Sequence, residues 1–185
     1  MENTLQTIQQ KELLLTETKQ KELREQYINR VDVLEKVKSL IMLPDIELMT
    51  VAQVADFYEV DVEAIQKVYQ RNRTEIKEDG VVGLSSKYLI EHFVQLDVVN
   101  RTKTYAEVEF KDGTKLILPN RGIKAFSKRA VLRIGMLLRD SKVAKEVRTQ
   151  LLNTFEEAPA EAKKELIDEG GKENDKNNSS DVVPK

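Results

Sequence analysis

The 185-residue sequence lacks cysteine and tryptophan and contains a single histidine, His92. Without cysteine there can be no disulfide framework, thiolate nucleophile or zinc knuckle, and this fits a reducing cellular interior. A Ser-His-Asp apparatus would have to use His92, and a metal site there would have no second histidine or cysteine. We therefore interpret His92 as a partly buried structural residue on a predicted helix. The carboxylates of residues 44–99 are spread along predicted helix surfaces, so we expect no enzyme activity and no cofactor or metal.

Long apolar runs and aromatic residues are also scarce. No run approaches the roughly 18 apolar residues that a bilayer span needs. The N-terminus has no cationic stretch followed by an apolar core, so we expect a cytoplasmic protein with no membrane partner. With five Tyr and five Phe, base stacking on an aromatic platform is an unfavourable way to bind nucleic acid.

The formal net charge of −2 hides a strong segregation of charge along the chain. Residues 1–43 are neutral, residues 44–99 carry −6, residues 100–155 carry +8 and residues 156–185 carry −4. The basic block could contact phosphate, whereas its acidic neighbours would be repelled by it. This predicts moderate, salt-sensitive binding to nucleic acid rather than promiscuous binding.

Residues 1–43 contain no glycine or proline and favour helix. We predict one long helix or two consecutive helices, ended by Pro44. Two roles remain open for this segment: dimerisation through a short coiled coil, or packing on the domain that follows. Either role would use one apolar stripe along the predicted helix, formed by Leu23, Tyr27, Leu34, Val37 and Ile41.

Residues 50–73 are typical of a helix-turn-helix. Thr50 is a good N-cap for a helix over 51–58, and a break at 59–61 leads into a second helix over 62–73. Ala55 is the small residue needed where the helices cross, and Val60 is the apolar residue of the turn. The turn usually begins with glycine, but Glu59 stands there. The predicted inward residues are Val51, Val54, Ile65 and Val68.

The outward residues of the second helix suit base reading in the major groove. Glutamine can pair with adenine, arginine with guanine, and glutamate can accept from cytosine. A solvated helix face is the alternative, and the acidic turn argues against tight binding by this motif alone. The candidate residues for DNA contact on and after this helix are Gln66, Lys67, Gln70, Arg71 and Arg73.

A further helix is predicted over 85–96, and alternation flanking Asp112-Gly113 predicts a β-hairpin over 104–118. The hairpin could act as a wing, with Lys111 and Lys115 near its tip contacting DNA. Alternatively, it packs on the helices and has no contact with DNA.

The pattern of residues 120–155 predicts a helical hairpin. Ser127 caps a helix that runs through Leu138, and a second helix follows over 142–155. Cations around the first helix could contact phosphate, or they could form a solvated face. The candidate cations of the basic block are Arg101, Lys103, Arg121, Lys124, Lys128, Arg129 and Arg133.

We therefore predict a mainly helical α+β fold in three parts. A helical oligomerisation or partner segment over 1–43 is followed by a DNA-binding domain over 44–156. Residues 157–185, rich in Asn, Asp, Ser, Lys and Glu, should form a largely disordered acidic tail.

The stretch MTVAQVADFYEVDVEAIQKVYQRNRTEI, residues 49–76, resembles the N-terminal DNA-binding domains of phage antirepressors and of the Bro and KilA proteins. Arg71-Asn72 stands where those proteins often carry Arg-Asn after the second helix. Residues 123–155 are similar to the helical hairpin of the same superfamily. The resemblance covers about 105 residues and consists of hydrophobic spacing; Glu59 and the N-terminal segment depart from it.

The resemblance implies a phage-type or plasmid-type regulator that acts on transcription. We expect it to bind double-stranded DNA as a homodimer joined through its N-terminal helices. The alternative is an antirepressor-like factor that captures another regulatory protein through those helices.

Overall fold

A computed structural model describes residues 2–43, 46–92 and 96–157. Within these residues the mixed α+β class is confirmed, with helices predominating over two small antiparallel sheets. The helices are α1 (Glu2–Leu15), α2 (Lys21–Glu25), α3 (Asp32–Val37), α4 (Val51–Tyr58), α5 (Val62–Arg71), α6 (Arg73–Glu78), α7 (Ser86–His92), α8 (Lys128–Leu137) and α9 (Lys142–Glu157). The strands are β1 (Met49–Thr50), β2 (Val81–Leu84), β3 (Leu96–Arg101), β4 (Tyr105–Phe110), β5 (Lys115–Pro119) and β6 (Ile123–Phe126). The predicted acidic tail lies outside the described residues, except for Glu157, which ends α9.

The two sheets are built differently along the chain. In the first sheet β6 lies between β1 and β2, so strands about 40 to 75 residues apart are joined. In the second sheet β3, β4 and β5 follow one another as an antiparallel meander. Gly113 takes φ +83° in the turn between β4 and β5, a conformation that an L side chain rarely adopts. Because β6 pairs with β1 and β2, it lies beside the helices that these strands adjoin. The loop over residues 120–122 connects β5 to β6.

The main core is mostly helical and covers α8 from Ala130 to its end. Every residue of Ala130–Leu137 is buried, as expected for residues that pack on both α5 and α9. Two caps predicted from the sequence are present: the Thr50 hydroxyl accepts from the Gln53 amide, and the Ser127 hydroxyl accepts from the Ala130 amide, each at 3.2 Å. Each cap satisfies an otherwise unpaired helix N–H, worth about 1 kcal/mol.

A second, smaller core lies under the meander. Val108, Phe110 and Leu118 alternate on the inner face of the sheet and pack with Leu89 of α7 and Ala125 of β6. The period of two in β4 gives it this buried face and leaves the opposite face half-exposed. The meander is thereby fixed to the first sheet.

The N-terminal segment differs from its prediction. It forms the three short helices α1, α2 and α3 instead of one long or two consecutive helices. Leu15, Tyr27, Ile28, Val33 and Leu34 are buried in the main core with residues of α4 and α8. Two members of the predicted dimerisation stripe, Tyr27 and Leu34, are therefore covered within the chain. The physical reason is that a short stripe buries more apolar surface against a ready core than along an isolated helix.

The helix predicted over 85–96 is also wrong in extent. α7 ends at His92 and Leu96 begins β3, which pairs with β4 as Leu96 opposite Phe110 and Val98 opposite Val108. The side chain of His92 and residues 93–95 lie outside the described part. Pairing with a neighbouring strand decided this segment, and local helix propensity could not show that partner.

Candidate nucleic-acid interface

Helices α4 and α5 are joined by a tight turn at residues 59–61. Thr50 and Gln53 form a reciprocal capping box at the start of α4. Val54 and Ala55 are buried where α4 faces α5. The small side chain of Ala55 lets the two helices approach each other. The turn therefore fixes the direction in which α5 leaves α4.

Glu59 adopts the left-handed conformation, with φ 55° and ψ 47°. Glycine takes this conformation without a Cβ penalty, whereas another L residue pays about 1 kcal/mol or more. Lys38 compensates at this turn: its Nζ donates to the Asp56 carbonyl at 3.2 Å and lies 3.0 Å from the Glu59 carboxylate. The N-terminal segment thus supports the turn at the position where the sequence departs from glycine.

Helix α5 presents one buried face and two exposed rows. Ile65 and Tyr69 are buried, while residues 66, 67, 70 and 71 are exposed. The exposed row on one side contains Gln66 and Gln70. The row on the other side contains Lys67 and Arg71, and Lys67 pairs with Glu63 at 3.0 Å.

The first row lines a groove of about 740 Å³, which we call the hairpin-side groove. Its walls come from β1, α4, α5, β2, β5, β6 and the loop between β5 and β6. Gln66 and Gln70 line this groove together with Arg121 and Lys124, which lie about 50 residues further along the chain. The described lining contains these two cations and no carboxylate. The full lining is Thr50, Val51, Ala52, Val62, Ile65, Gln66, Tyr69, Gln70, Gly83, Leu116, Ile117, Arg121, Gly122, Ile123, Lys124 and Phe126.

Aromatic rings fix the position of Lys124. Its Nζ lies 4.8 Å from the centroid of the Tyr69 ring, a cation–π distance. Tyr69 in turn meets Phe126 edge-on, with ring centroids 5.8 Å apart. Lys124 is therefore an exposed cation held at the wall of the groove.

Gly122 allows the loop that carries Arg121 to approach closely. Its φ is +87°, and a Cβ at this position would overlap the carbonyl oxygen of Leu84. Only glycine fits both conditions. The position of Arg121 beside the groove therefore depends on glycine at position 122.

The second row of α5 lines another groove of about 640 Å³, which we call the loop-side groove. Lys67 and Arg71 share it with Arg139, an exposed residue of the loop between α8 and α9. Three carboxylates line it as well: Glu59, Asp61 and Asp140. Its charge is therefore mixed, unlike that of the hairpin-side groove.

Arg133 does not contact solvent, so its assignment as a phosphate contact is wrong. Its side chain is 1% exposed and its guanidinium bonds to Asp79 at 2.6 Å, to Glu75 at 2.8 Å and to Glu25 at 2.7 Å. Arg24, fully buried, donates to both oxygens of the Glu75 carboxylate, at 2.6 Å to Oε1, which Arg133 also contacts, and at 2.8 Å to Oε2. This buried charge cluster joins α2, α6 and α8, and the charge of Arg133 is already neutralised within it.

Two carboxyls of the cluster, Glu75 and Asp79, have pKa values shifted in opposite directions. Burial alone would raise the pKa of Glu75, but the hydrogen bond from Arg24 and the charge of Arg133 outweigh it, so that pKa is lowered. Burial dominates at Asp79 and raises its pKa despite the bond from Arg133. Asp79 is the more deeply buried of the two, and the charge of Glu25 also raises its pKa, whereas Glu75 has two guanidinium partners that lower its pKa.

Lys128 and Arg129 lie at the start of α8 and are only partly exposed. Lys128 pairs with Glu35 of α3 at 3.2 Å, and Arg129 lies 3.7 Å from Asp79. Both are committed in part to contacts inside the molecule. They are not among the residues that line either groove.

The cations of the meander lie at its two ends. Arg101 and Lys103 are exposed at the turn between β3 and β4, and the Asn120 amide donates to the Lys103 carbonyl at 2.6 Å, so this end lies beside the loop of Arg121. Lys111 and Lys115 lie at the other end of β4, about 17 Å away along a six-residue strand. Arg73 is exposed at the start of α6. The predicted cations therefore do not form one continuous patch.

Sequence reasoning missed several residues of the two grooves. Arg139, Tyr69, Val62 and Ile117 all line them. The sequence offered a signal only for Arg139, which is a cation of the basic block next to a predicted helix boundary. The others were recognisable only once β5 and α5 were seen to face the same groove.

Comparison with known proteins gives no matching family model, curated protein or solved structure. Within the described residues no group of His, Asp or Glu is arranged to hold a metal ion. None of the helices described is both long enough and apolar enough to cross a bilayer.

Proposed function

We propose that this protein is a DNA-binding transcriptional regulator of the phage or plasmid type, with α4 and α5 acting as a helix-turn-helix. The observation that carries the proposal is the hairpin-side groove. Two exposed amides on α5 share it with two cations from the β5–β6 region, and no carboxylate lines it among the described residues.

The shape of α5 fits this role. The helix separates the two grooves and exposes residues 66, 67, 70 and 71. An α-helix with its side chains is about 10 to 12 Å wide, and the major groove is about 12 Å wide. Cations from other elements flank it on both sides, Arg121 and Lys124 on one and Arg139 on the other, where the two phosphate backbones would lie.

Electrostatics make the hairpin-side groove the principal phosphate contact. Arg121 and Lys124 have no acidic neighbour in its lining, whereas Arg71 and Arg139 face the carboxylates of the loop-side groove. Each cation that neutralises a phosphate releases counterions and steepens the salt dependence. Affinity should therefore depend chiefly on the first pair.

Fluorescence anisotropy of a labelled 30-base-pair duplex, titrated with the full chain at several salt concentrations, tests the proposal. We expect salt-sensitive binding of the unmodified chain. The double substitution Arg121→Ala with Lys124→Ala should weaken it for every sequence and reduce the slope of log K against log salt by about 2.

The double substitution Lys36→Ala with Lys87→Ala is the matched control. It removes the same charge from α3 and α7, and neither residue lines a groove. Binding without salt sensitivity, or an equal loss in the control, would contradict the proposal.

The alternative is capture of another regulator through the N-terminal helices. It has less support, because Leu15, Tyr27 and Leu34 are buried within the chain. Leu13, Leu14 and Ile41 remain exposed on this segment, but the adjacent Leu13 and Leu14 lie far from Ile41 along it. The homodimer stays a prediction, and sedimentation of the full chain with and without duplex checks it.

A further inference from the structure

The hairpin-side groove contains exposed apolar side chains that no packing contact explains. Val62, the first residue of α5, is 41% exposed, and Ile117 of β5 is 61% exposed. They line the same groove as Gln66 and Gln70. A methyl-bearing surface beside a row of amides is the chemistry that matches an A·T base pair in the major groove.

The structure separates the side chains that could read different bases. Glu63, which could accept from cytosine, is 3.0 Å from Lys67. Arg71, which could pair with guanine, lines the loop-side groove with Arg139. The row that faces the carboxylate-free groove is Val62, Gln66 and Gln70, spaced by four residues and therefore on one face of α5.

We infer that Val62, Gln66 and Gln70 determine specificity and select A·T pairs: the two amides read adenine, and Val62 contacts a thymine methyl group with Ile117 beside it. This inference rests on the proposed DNA-binding function. In a helix-turn-helix the N-terminal residues of the second helix contact base edges, which is where Val62 and Gln66 lie.

The length of the row defines the expected site. Eight residues along a helix span about 12 Å, roughly four base-pair steps of about 3.4 Å. Glutamine bonds to both the N6 amino group and N7 of adenine, while the thymine C5 methyl lies exposed on the same edge of the pair. One protomer should therefore prefer A·T pairs over a stretch of about five base pairs.

Selection from a pool of duplexes with a randomised 16-base-pair centre, using the full chain, provides the probe. We expect A·T pairs to be enriched at several adjacent positions. The enriched duplex is then remade with deoxyuridine in place of thymidine, which removes the C5 methyl and leaves the pairing unchanged. Binding should weaken about fourfold for each contacted methyl group.

Variants assign the contacts. Gln66→Ala should reduce the preference for adenine at one position by about fivefold to a hundredfold. Val62→Ala should bring the ratio of thymidine to deoxyuridine affinity close to one. Lys87→Ala, an exposed position on α7 that lies in neither of the two grooves, is the control and should leave both preferences unchanged. A loss of folding alone would lower affinity without altering either preference.

The outcomes separate this inference from the proposed function. Salt-sensitive binding with no enriched sequence, with enriched G·C pairs, or with equal affinity for thymidine and deoxyuridine overturns the inference and leaves the proposed function standing. Absence of salt-sensitive binding to every duplex in the pool overturns both.

Discussion

Gly135 lies in α8 where the ring of Tyr58 crosses the helix. The Tyr58 hydroxyl donates to the Val131 carbonyl at 2.7 Å, and the ring is fully buried. A Cβ at position 135 would overlap the Tyr58 hydroxyl and lie 2.9 Å from the ring carbon that bears it. Since both groups are buried, neither can move away without disturbing the core.

Gly135→Ala should therefore lower the free energy of unfolding by about 1 to 3 kcal/mol, the usual cost of overpacking. Gly83→Ala is the control, because no atom lies within 4 Å of a Cβ there. Urea unfolding followed by circular dichroism measures both. Tyr58→Phe should recover part of the loss at position 135, and an additive double variant would contradict this explanation.

The contribution of Glu75 to stability depends on its buried partners. Its carboxylate is shared by Arg24 and Arg133, both buried. Removing its charge leaves two guanidinium groups short of a partner, so Glu75→Gln should lower the free energy of unfolding by about 3 kcal/mol at pH 7. Glu78→Gln, in the same helix, breaks only an exposed pair with Lys21 and should cost less than about 1 kcal/mol.

The difference in free energy of unfolding between the unmodified chain and Glu75→Gln should depend on pH. The folded pKa of Glu75 is below its ordinary value of 4.5, so its charge stabilises the fold above that pH. The contribution is lost as pH falls through the lowered pKa. The gap between wild type and Glu75→Gln should narrow below about pH 4.5, and a gap that widens on acidification would rule out this role.

At the scale of elements, the turn between α4 and α5 depends on α3 and its flanking residue. Lys38 Nζ reaches the Asp56 carbonyl, the Phe57 carbonyl and the Glu59 carboxylate. Two of these are carbonyls in the last turn of α4, and the Asp56 carbonyl also accepts from the Glu59 amide at 3.3 Å. The N-terminal segment thus donates hydrogen bonds to the C-terminal end of α4, a helix that comes later in the chain.

Lys38→Ala should lower the free energy of unfolding by about 1 kcal/mol. The cost should be smaller in a Glu59→Gly background, because glycine adopts the left-handed conformation without support and one of the three contacts is already gone. Lys36→Ala, two residues earlier, is the control. Thermal unfolding of the four variants gives the coupling, and equal costs in both backgrounds would contradict it.

Elements distant in sequence also build the hairpin-side groove. α5 supplies Gln66 and Gln70, and the β5–β6 loop supplies Arg121. β6 pairs with β1, which leads directly into α4. The sheet therefore holds the cations at a fixed distance from the exposed helix.

At the scale of the whole molecule, the N-terminal segment and the rest share one core. Leu34 is fully buried in the same cluster as Leu132 and Leu151. Arg148 of α9 adds a buried pair with Glu12 of α1, with 2.6 Å between Nε and the carboxylate oxygen. We therefore expect residues 2–157 to unfold together rather than as a segment and a domain.

Leu34→Ala should lower the free energy of unfolding by about 3 kcal/mol. Hydrogen exchange should show the same loss of protection for amides of α3 and for those of α8 and α9. Ile41→Ala, at an exposed position, should change stability by less than about 0.5 kcal/mol. A loss confined to the N-terminal helices would show that they form an independent unit.

The sequence by itself determined the features that depend on neighbours along the chain. The caps at Thr50 and Ser127, the bounds of α4 and the alternating faces of β4 follow from local periodicity and hydrogen bonding. The mixed α+β class followed from the same patterns. The apolar residues Val131, Leu132 and Met136 were expected to be buried because they crowd one helix, and they are.

Only the tertiary structure decided which charges are available and which elements meet. Arg133 and Arg121 look alike in sequence, but one is neutralised by three carboxylates and the other is exposed at a groove. β3 became a strand because β4 lay beside it, and the N-terminal stripe was buried because a core was there to cover it. Burial and ion pairing depend on partners 50 to 110 residues away. The local sequence pattern around a residue does not predict which distant partners it will contact.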